Sequence, residues 1–140
     1  MHALITAGGV PAPGEYLYNE AAGKPKAMLD VNGKPMVQWI LDALNRVARV
    51  EEIFVVGLPS AAGLTSRKPL QVIPDQDGML DNLLAGAERI VACHPDTNLF
   101  LLVSSDIPAL TPDMVEWTLD QARGKDVDIH YFTIRRQDME

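Results

Sequence analysis

Two glycines follow the first apolar run of the chain, and their position suits phosphate binding. The run from Ala3 to Ala7 ends in Gly8-Gly9, and a long loop then leads to Lys24-Pro25-Lys26. Glycines at the end of a buried strand expose backbone N–H groups that can wrap a polyanion, because no side chain stands in the way. A lysine at the far end of the loop supplies a compact cation for phosphate. The spacing indicates a nucleotide site, although it matches neither GxGxxG nor GxxxxGK[ST].

Apolar runs alternate with helical patterns along the rest of the chain, and these elements must position the loop. Strands are predicted at Ala3–Thr6, Glu52–Val56, Leu70–Ile73, Leu99–Val103 and Asp128–Ile134. Helices are predicted from Pro35 to about Val47, from Met79 to Cys93, and from Pro112 to about Arg123. Alternating strands and helices predict an α/β fold with a doubly wound, mostly parallel sheet in three α/β/α layers.

The patterns also predict how the elements pack. Leu99–Val103 is uninterrupted and apolar, which is typical of a central strand covered on both faces. The short stretch Ala27–Val31 should be extended, and the loop Val10–Gly23 has no hydrophobic period. The helix over Met79–Cys93 should bury one apolar face, formed by Leu80, Leu83, Leu84, Ala87, Ile90 and Val91.

Composition limits the classes of function. With 140 residues, 47% of them hydrophobic, the chain can form one domain over residues 1–140 with a sizeable core. A net charge of −7 argues against nucleic acid or an anionic membrane as partner. The chain shows no apolar run of membrane-spanning length and no signal peptide, so we expect a cytoplasmic setting. His2, His94 and His130 are far apart and lack metal-ligand spacing, which predicts surface or structural roles.

The glycines and lysine are also part of a longer pattern. AGG, then KPKAMLDVNGKPMVQWILDAL and later LFLLVSSDIPALTPDMV, resembles the MobA-like and sugar-phosphate nucleotidyltransferases. The positions that match the first family motif are Gly8, Gly9, Lys26, Leu29, Gly33, Lys34, Pro35 and Met36. The resemblance implies a Rossmann-like, glycosyltransferase-A-like fold. It also implies transfer of a nucleoside monophosphate from a nucleoside triphosphate to a small phosphorylated acceptor, with release of pyrophosphate.

Asp106 is the candidate metal ligand. It follows the strand Leu99–Val103, and ligands of parallel sheets bind beyond the carboxyl ends of the strands. Chemistry on a nucleoside triphosphate needs a divalent cation, and Mg²⁺ takes one or two carboxylates together with phosphate and water. The resemblance implies the same role for Asp106. The alternative is an aspartate that caps the turn before Pro108.

The remaining candidates would bind the nucleotide. Lys26 would hold the triphosphate; the alternatives are a solvated Lys26, or Lys24 in its place. The predicted nucleotide-binding residues are Ala7, Gly8, Gly9, Lys26, Asp75, Asp77 and Asn82. Asp75 or Asp77 would accept hydrogen bonds from the nucleoside, near where the family reads base or ribose, unless both serve ordinary turn chemistry. Asn82 is the weaker candidate, from the first turn of its helix.

Two departures from the family pattern bear on activity. The glycine-rich loop of the family usually carries a phosphate-clamping arginine, whereas GGVPAPGEYLYNEAAGK has none and contains Glu15 and Glu20. Family members also usually continue well beyond this length, so we expect a fragment or reduced relative that lacks the acceptor half. The function predicted is a nucleotidyltransferase with catalytic Lys26 and Asp106, and the alternative is a non-catalytic nucleotide-binding or assembly module. A homo-oligomer is compatible with either.

Overall fold

A four-stranded parallel sheet forms the centre of the protein, in a computed structural model that describes residues 1–59, 63–133 and 135–138. With strands numbered in chain order, the spatial order is β5 (Leu70–Ile73), β4 (Ile53–Val56), β1 (His2–Thr6) and β6 (Phe100–Ser104). In the parallel register, Ile5 of β1 pairs with Val55 on one side and Val103 on the other. The prediction of a parallel α/β sheet is therefore confirmed.

Helices cover both faces of this sheet. The longer helices are α2 (Met36–Leu44), α3 (Met79–Cys93) and α4 (Pro112–Ala122). On one face, Ile90 of α3 packs with Leu4, Phe54, Val56 and Ile73 of the sheet. On the other face, α2 and α4 pack against side chains such as Ala3, Ile5 and Val55. The three-layer arrangement follows from strands that are apolar on both faces. In the part of the chain that the structure describes, no helix is long and apolar enough to cross a membrane.

Shorter elements connect β1 to α2. They are α1 (Tyr18–Ala21), a 3₁₀ turn (Lys26–Met28) and the hairpin of β2 (Asp30–Val31) and β3 (Lys34–Pro35); a second 3₁₀ turn (Arg136–Asp138) lies near the end of the chain. Asn32 and Gly33 turn the hairpin with φ of 53° and 89°, as the type I′ turn requires and the dipeptide predicts. Pro35 is the last residue of β3 rather than the first of the helix, because it pairs with Asp30 of β2 in the antiparallel register. The expected extended stretch at Ala27–Val31 instead begins with the 3₁₀ turn.

A side-chain cap begins α4. Thr111 precedes Pro112, and its Oγ1 accepts a hydrogen bond from the N–H of Met114 at 3.3 Å. We expect Thr111→Ala to lower the free energy of unfolding by about 1 kcal/mol, because that N–H then loses its partner. Thr111→Ser keeps the hydroxyl and should cost less than half as much. Urea denaturation of the three proteins measures the difference, and equal stability of Thr111→Ala and the parent would contradict the cap.

Two predictions about packing and one about a strand are wrong. The strand β6 is an edge strand of the described sheet, not a central one, and Leu102 is 49% exposed. On α3, the stripe facing the sheet is Asn82, Gly86 and Ile90, so Leu80, Leu84 and Val91 on the neighbouring stripe are exposed. Gly86 brings α3 close to the sheet, since a methyl group there would lie 2.5 Å from the δ carbons of Leu4. The described part of the predicted strand over Asp128–Ile134 forms no strand, and Ile134 lies outside the described residues.

Candidate functional site

The diglycine bend lies at the carboxyl edge of the sheet, in backbone contact with the next strand. β1 ends at Thr6, and Ala7 donates its N–H to the carbonyl of Val56 at 2.8 Å. Gly57 follows β4 with φ of 100°, and a methyl group there would lie 2.1 Å from the nitrogen of Gly8. Two backbones meet at this point without intervening side chains. The arrangement leaves Gly8 beside the residues that follow β5.

Asp75 and Asn82 meet at Gly8. A methyl group on Gly8 would lie 2.7 Å from Asn82 Nδ2 and 2.8 Å from Asp75 Oδ1. Asn82 donates from Nδ2 to Asp75 Oδ1 at 2.6 Å and accepts from the N–H of Gln76 at 2.9 Å. The amide of Asn82 is buried with only 5% exposure, so the turn after β5 is held against the start of α3. The structure thus brings together the predicted residues Gly8, Asp75 and Asn82.

Lys26 returns to the diglycine bend through its backbone. Its N–H donates to the carbonyl of Gly9 at 3.1 Å, which closes the loop that follows β1. Its ammonium group lies 3.6 Å from Glu15 Oε2, and both side chains are about half exposed. Glu15 Oε2 also accepts the N–H of Ala12 at 3.1 Å. The backbone of Lys26 therefore lies beside the glycines, and its ammonium group, the cation predicted for phosphate, is paired with a loop carboxylate.

Asp106 leaves the same edge of the sheet from the strand next to β1. Ser104 pairs with Thr6 in register, and the N–H of Ser105 donates to the carbonyl of Thr6 at 3.1 Å. The Asp106 carboxylate is exposed and accepts a hydrogen bond from the hydroxyl of Ser104. Among the described residues, no backbone N–H donates to this carboxylate, so the alternative of a turn cap has no hydrogen bond to support it.

Two of the predicted residues contribute less directly. Ala7 is fully buried, so only its backbone could face a ligand. Asp77 is exposed in the turn before α3 with φ of 62°, and no hydrogen bond joins it to Gly8 or Asn82 in the described ranges. The left-handed backbone of Asp77 is ordinary turn chemistry, since aspartate tolerates this conformation better than most residues. The structure places Asp75, and not Asp77, against the diglycine bend.

Sequence reasoning missed the contribution of Gly57. The apolar pattern ends at Val56 and assigns Gly57 no role, whereas its lack of a side chain allows β4 to approach Gly8. The signal was present in the sequence, because a glycine directly follows the apolar run IFVV, just as Gly8 directly follows the apolar run from Ala3 to Ala7. A pair of strand-final glycines on adjacent parallel strands indicates a close backbone approach.

The donor set at Asp106 fits a hard divalent cation. An exposed carboxylate and the neighbouring Ser104 hydroxyl offer oxygen, which Mg²⁺ and Mn²⁺ prefer. Within residues 1–59, 63–133 and 135–138, Asp106 belongs to no group of three metal-ligating side chains. An ion at this edge would therefore depend on phosphate and water for most of its ligands, as Mg²⁺ commonly does in nucleotide sites.

Comparison with known proteins gives the family and similar folds. A family model described as the MobA-like NTP transferase domain matches residues 3–140. A hypothetical transferase from Thermus thermophilus is 31% identical with a TM-score of 0.69, over 89% of this chain and 48% of its own. CMP:2-keto-3-deoxy-manno-octonic acid synthetase, complexed with CTP, is 22% identical with a TM-score of 0.59, and the match covers 87% of this chain and 46% of the synthetase. A Mycobacterium tuberculosis H37Rv protein in complex with manganese is 15% identical with a TM-score of 0.54, and the match covers 85% of this chain and 57% of that protein.

The chain spans about half the length of these solved structures. The two with lower identity share the fold, and the family match extends over nearly every residue of the chain. All parts of the candidate site lie within residues 3–140: the diglycine bend, Lys26, which closes its loop, and Asp106, which follows β6. This chain belongs to the MobA-like NTP transferase family.

Proposed function

We propose that this chain supplies the nucleotide-binding part of a nucleotidyltransferase that acts on a nucleoside triphosphate and a small phosphorylated acceptor. The observation that carries the proposal is the contact of Gly8 with Asp75 and Asn82, one strand away from Asp106. Backbone donors, an amide, a carboxylate and a separate candidate metal ligand share one edge of a parallel sheet. That is the edge at which such sheets bind nucleotides.

The residues would divide the nucleotide between them. Backbone N–H groups of the diglycine bend would contact phosphate, because only glycine leaves the approach open. Lys26 would hold the triphosphate after leaving Glu15. Asp75 and Asn82, already fixed against each other, would present their remaining hydrogen-bonding capacity to base or ribose. Asp106 would hold a divalent cation, Mg²⁺ in the proposed reaction, through its exposed carboxylate.

The reaction needs little covalent work from the protein. An oxygen of the acceptor phosphate forms a bond to the α-phosphorus, the bond between the α-phosphorus and the bridging oxygen breaks, and pyrophosphate leaves. The bound cation would neutralise charge on the phosphate oxygens. Lys26 and the backbone donors would orient the triphosphate and stabilise the negative charge that accumulates on the departing pyrophosphate.

Two of the similar structures support this proposal through what they contain. One is a synthetase complexed with CTP, and another is a complex with manganese. A nucleotide and a divalent cation are the two ligands that the carboxyl edge of this sheet is suited to receive. We extend both to this chain on the basis of its own donor set, with a cytoplasmic setting as the natural source of nucleotide.

Titration with the four nucleoside triphosphates in the presence of magnesium tests the proposal. We expect one of them to raise the melting temperature, and pyrophosphate to appear when phosphorylated acceptors are added. Stabilisation without pyrophosphate would favour the non-catalytic nucleotide-binding module instead. If no triphosphate binds at millimolar concentration, the site assignment fails.

Glu15 competes with the triphosphate for Lys26, which gives a prediction for affinity. Glu15→Gln removes the charge that lies 3.6 Å from the ammonium group of Lys26. An exposed ion pair of this kind is worth about 0.2–1 kcal/mol, so we expect nucleotide affinity to rise by about 1.4- to 5-fold. Isothermal titration at fixed magnesium and low salt measures this change.

Glu20→Gln is the matched control. It removes the same charge from the same loop, but among the described residues Glu20 has no ion pair with Lys26. A gain in Glu15→Gln that exceeds the gain in Glu20→Gln supports direct competition for Lys26. Equal gains would show that only the overall charge of the loop matters, and no gain in either would place Lys26 outside the phosphate site.

A further inference from the structure

A second cluster of ionisable side chains lies at the opposite end of the sheet. His2 begins β1, Glu52 directly precedes β4, and His94 follows the last residue of α3. The imidazole rings of His2 and His94 stack with centroids 3.8 Å apart and planes inclined by 15°. His94 Nε2 lies 2.6 Å from Glu52 Oε2, where it donates to the carboxylate. The strand β1, roughly 16 Å long at about 3.3 Å per residue, separates this cluster from Gly8.

The three side chains form a ligand set. Each offers one ligand atom, and these atoms all lie within 4.8 Å of one another. Around a tetrahedral zinc ion, with Zn–N and Zn–O near 2.1 Å, ligand atoms are about 3.4 Å apart. On binding, the ligand atoms would draw closer, and the stacked imidazole rings would turn so that one ring nitrogen of each faces the ion. Glu52 and His94 are 14% and 34% exposed, so the cluster is open to solvent on one side and can take up an ion.

His2 supplies an independent observation. Its side chain is 93% buried, with 7% of its surface exposed, yet its Nδ1 has no hydrogen-bond partner in the described structure. A buried polar nitrogen without a partner is unfavourable, and in native proteins such an atom calls for an explanation such as a functional role or a bound ion or water. Packing alone therefore does not explain why the buried His2 lies against His94 and Glu52 with its Nδ1 unpaired.

Neighbouring residues hold the ligands in place. Phe54 is fully buried and meets both rings edge to face, with centroids 6.4 Å from His2 and 6.3 Å from His94. Glu52 Oε1 accepts a hydrogen bond from Gln71 Nε2 at 3.0 Å, which leaves Oε2 directed at His94. Metal-ligating carboxylates are commonly oriented by such outer hydrogen bonds.

The end of α3 also suits a cation. The carboxyl end of this helix, directly before His94, carries a partial negative charge.

We propose that His2, Glu52 and His94 form a binding site for a divalent transition-metal ion of the zinc class, separate from the nucleotide site. Two imidazoles and one carboxylate are a ligand set that zinc uses with water in the fourth position. Imidazole selects zinc, copper and nickel over magnesium, so the two ends of the sheet would take different cations. The ion would tie the start of β1 and the approach to β4 to the end of α3.

Zinc titration of the untagged, metal-free protein tests the site. The protein is titrated calorimetrically with zinc chloride in excess magnesium, which occupies oxygen-only sites. We expect one saturable zinc ion per chain and a rise in melting temperature. Glu52→Gln and His94→Ala should each weaken binding at least about tenfold, since even loss of an outer-shell partner costs 10- to 100-fold. His130→Ala is the matched control, because it removes a histidine outside the cluster and should bind zinc as the parent does.

The contrary results are equally specific. The site is excluded if the parent shows no saturable zinc binding, or if Glu52→Gln and His94→Ala bind as tightly as His130→Ala. Melting curves in chelator establish that each variant folds, and Glu52→Gln keeps a hydrogen-bond acceptor for His94 should the alanine variant unfold. Nucleotide titration of His94→Ala should match the parent, so failure of the zinc site and failure of the nucleotide site give different results.

Discussion

Replacing Asp106 with asparagine is expected to abolish magnesium-dependent nucleotide binding while leaving the fold intact. The change removes one negative charge and keeps an oxygen that can still accept the hydrogen bond from Ser104. Because the side chain is exposed, no core contact is lost. Loss of a metal-ligating carboxylate should weaken affinity in magnesium at least as much as loss of an outer-shell partner, which is about 10- to 100-fold. Parallel titrations in magnesium and in chelator measure the difference between parent and variant.

The control for this prediction is Asp113→Asn. Asp113 is also an exposed aspartate after β6, in the first turn of α4, and the substitution removes the same charge. We expect its nucleotide affinity to stay within about twofold of the parent, since Asp113 is not a candidate metal ligand and a surface charge at a helix end contributes about 0.3–1 kcal/mol, to local stability rather than to binding. In chelator the parent and Asp106→Asn should bind alike. Unchanged affinity of Asp106→Asn in magnesium would remove this aspartate from the site.

The sequence predicted the elements that local chemistry determines. The helix α3 runs from Met79 to Cys93, as its apolar period and the flanking Gly78 and His94-Pro95 indicate. Parallel order then places Gly8 and Ser105 at one edge, because strands that alternate with helices point the same way. The grouping of the candidate site was predictable for this reason alone, before any side-chain contact was known.

The pairing of side chains was not predictable, because it depends on residues distant in sequence. Glu15 reaches Lys26 only once the loop has folded back on itself through α1. His2 meets His94 only because β1 and the end of α3 reach the same end of the sheet. Spacing along the chain carries no information about such contacts, so the separation of the histidines was a poor guide to their surroundings.

The burial of apolar residues was wrongly predicted on α3 and β6, where the sequence pattern does not show which side is covered. The apolar face of α3 is wide enough to include Leu80 and Leu84. The sheet covers only the part of the helix around Gly86, so both leucines remain exposed. An uninterrupted apolar strand likewise predicts cover on both faces, whereas Leu102 on β6 is half exposed. Periodicity identifies an amphipathic element, and only the packing partner decides which part of the apolar face is covered.

Replacing Gly57 with alanine is expected to cause the largest loss of stability among these substitutions. The residue has φ of 100°, which a side chain tolerates poorly, and a methyl group would lie 2.1 Å from the nitrogen and 2.4 Å from the Cα of Gly8. Because both contacts are with backbone, the strands themselves must separate. Backbone strain of about 1–3 kcal/mol and overpacking of about 1–3 kcal/mol together predict a loss of roughly 2–6 kcal/mol in the free energy of unfolding.

Gly9→Ala separates these two contributions. Gly9 has φ of 101°, nearly the same as Gly57, but a methyl group there would meet nothing within 4 Å. It should therefore lose only the strain energy, and the difference between the two variants in urea denaturation measures the backbone contact between β4 and β1. Since Gly8 lies against Asp75 and Asn82, a shift of its backbone in Gly57→Ala should weaken nucleotide binding even under conditions in which the variant remains folded. Equal stability of the two alanine variants would mean that the close approach at Gly57 does not hold the diglycine bend in place.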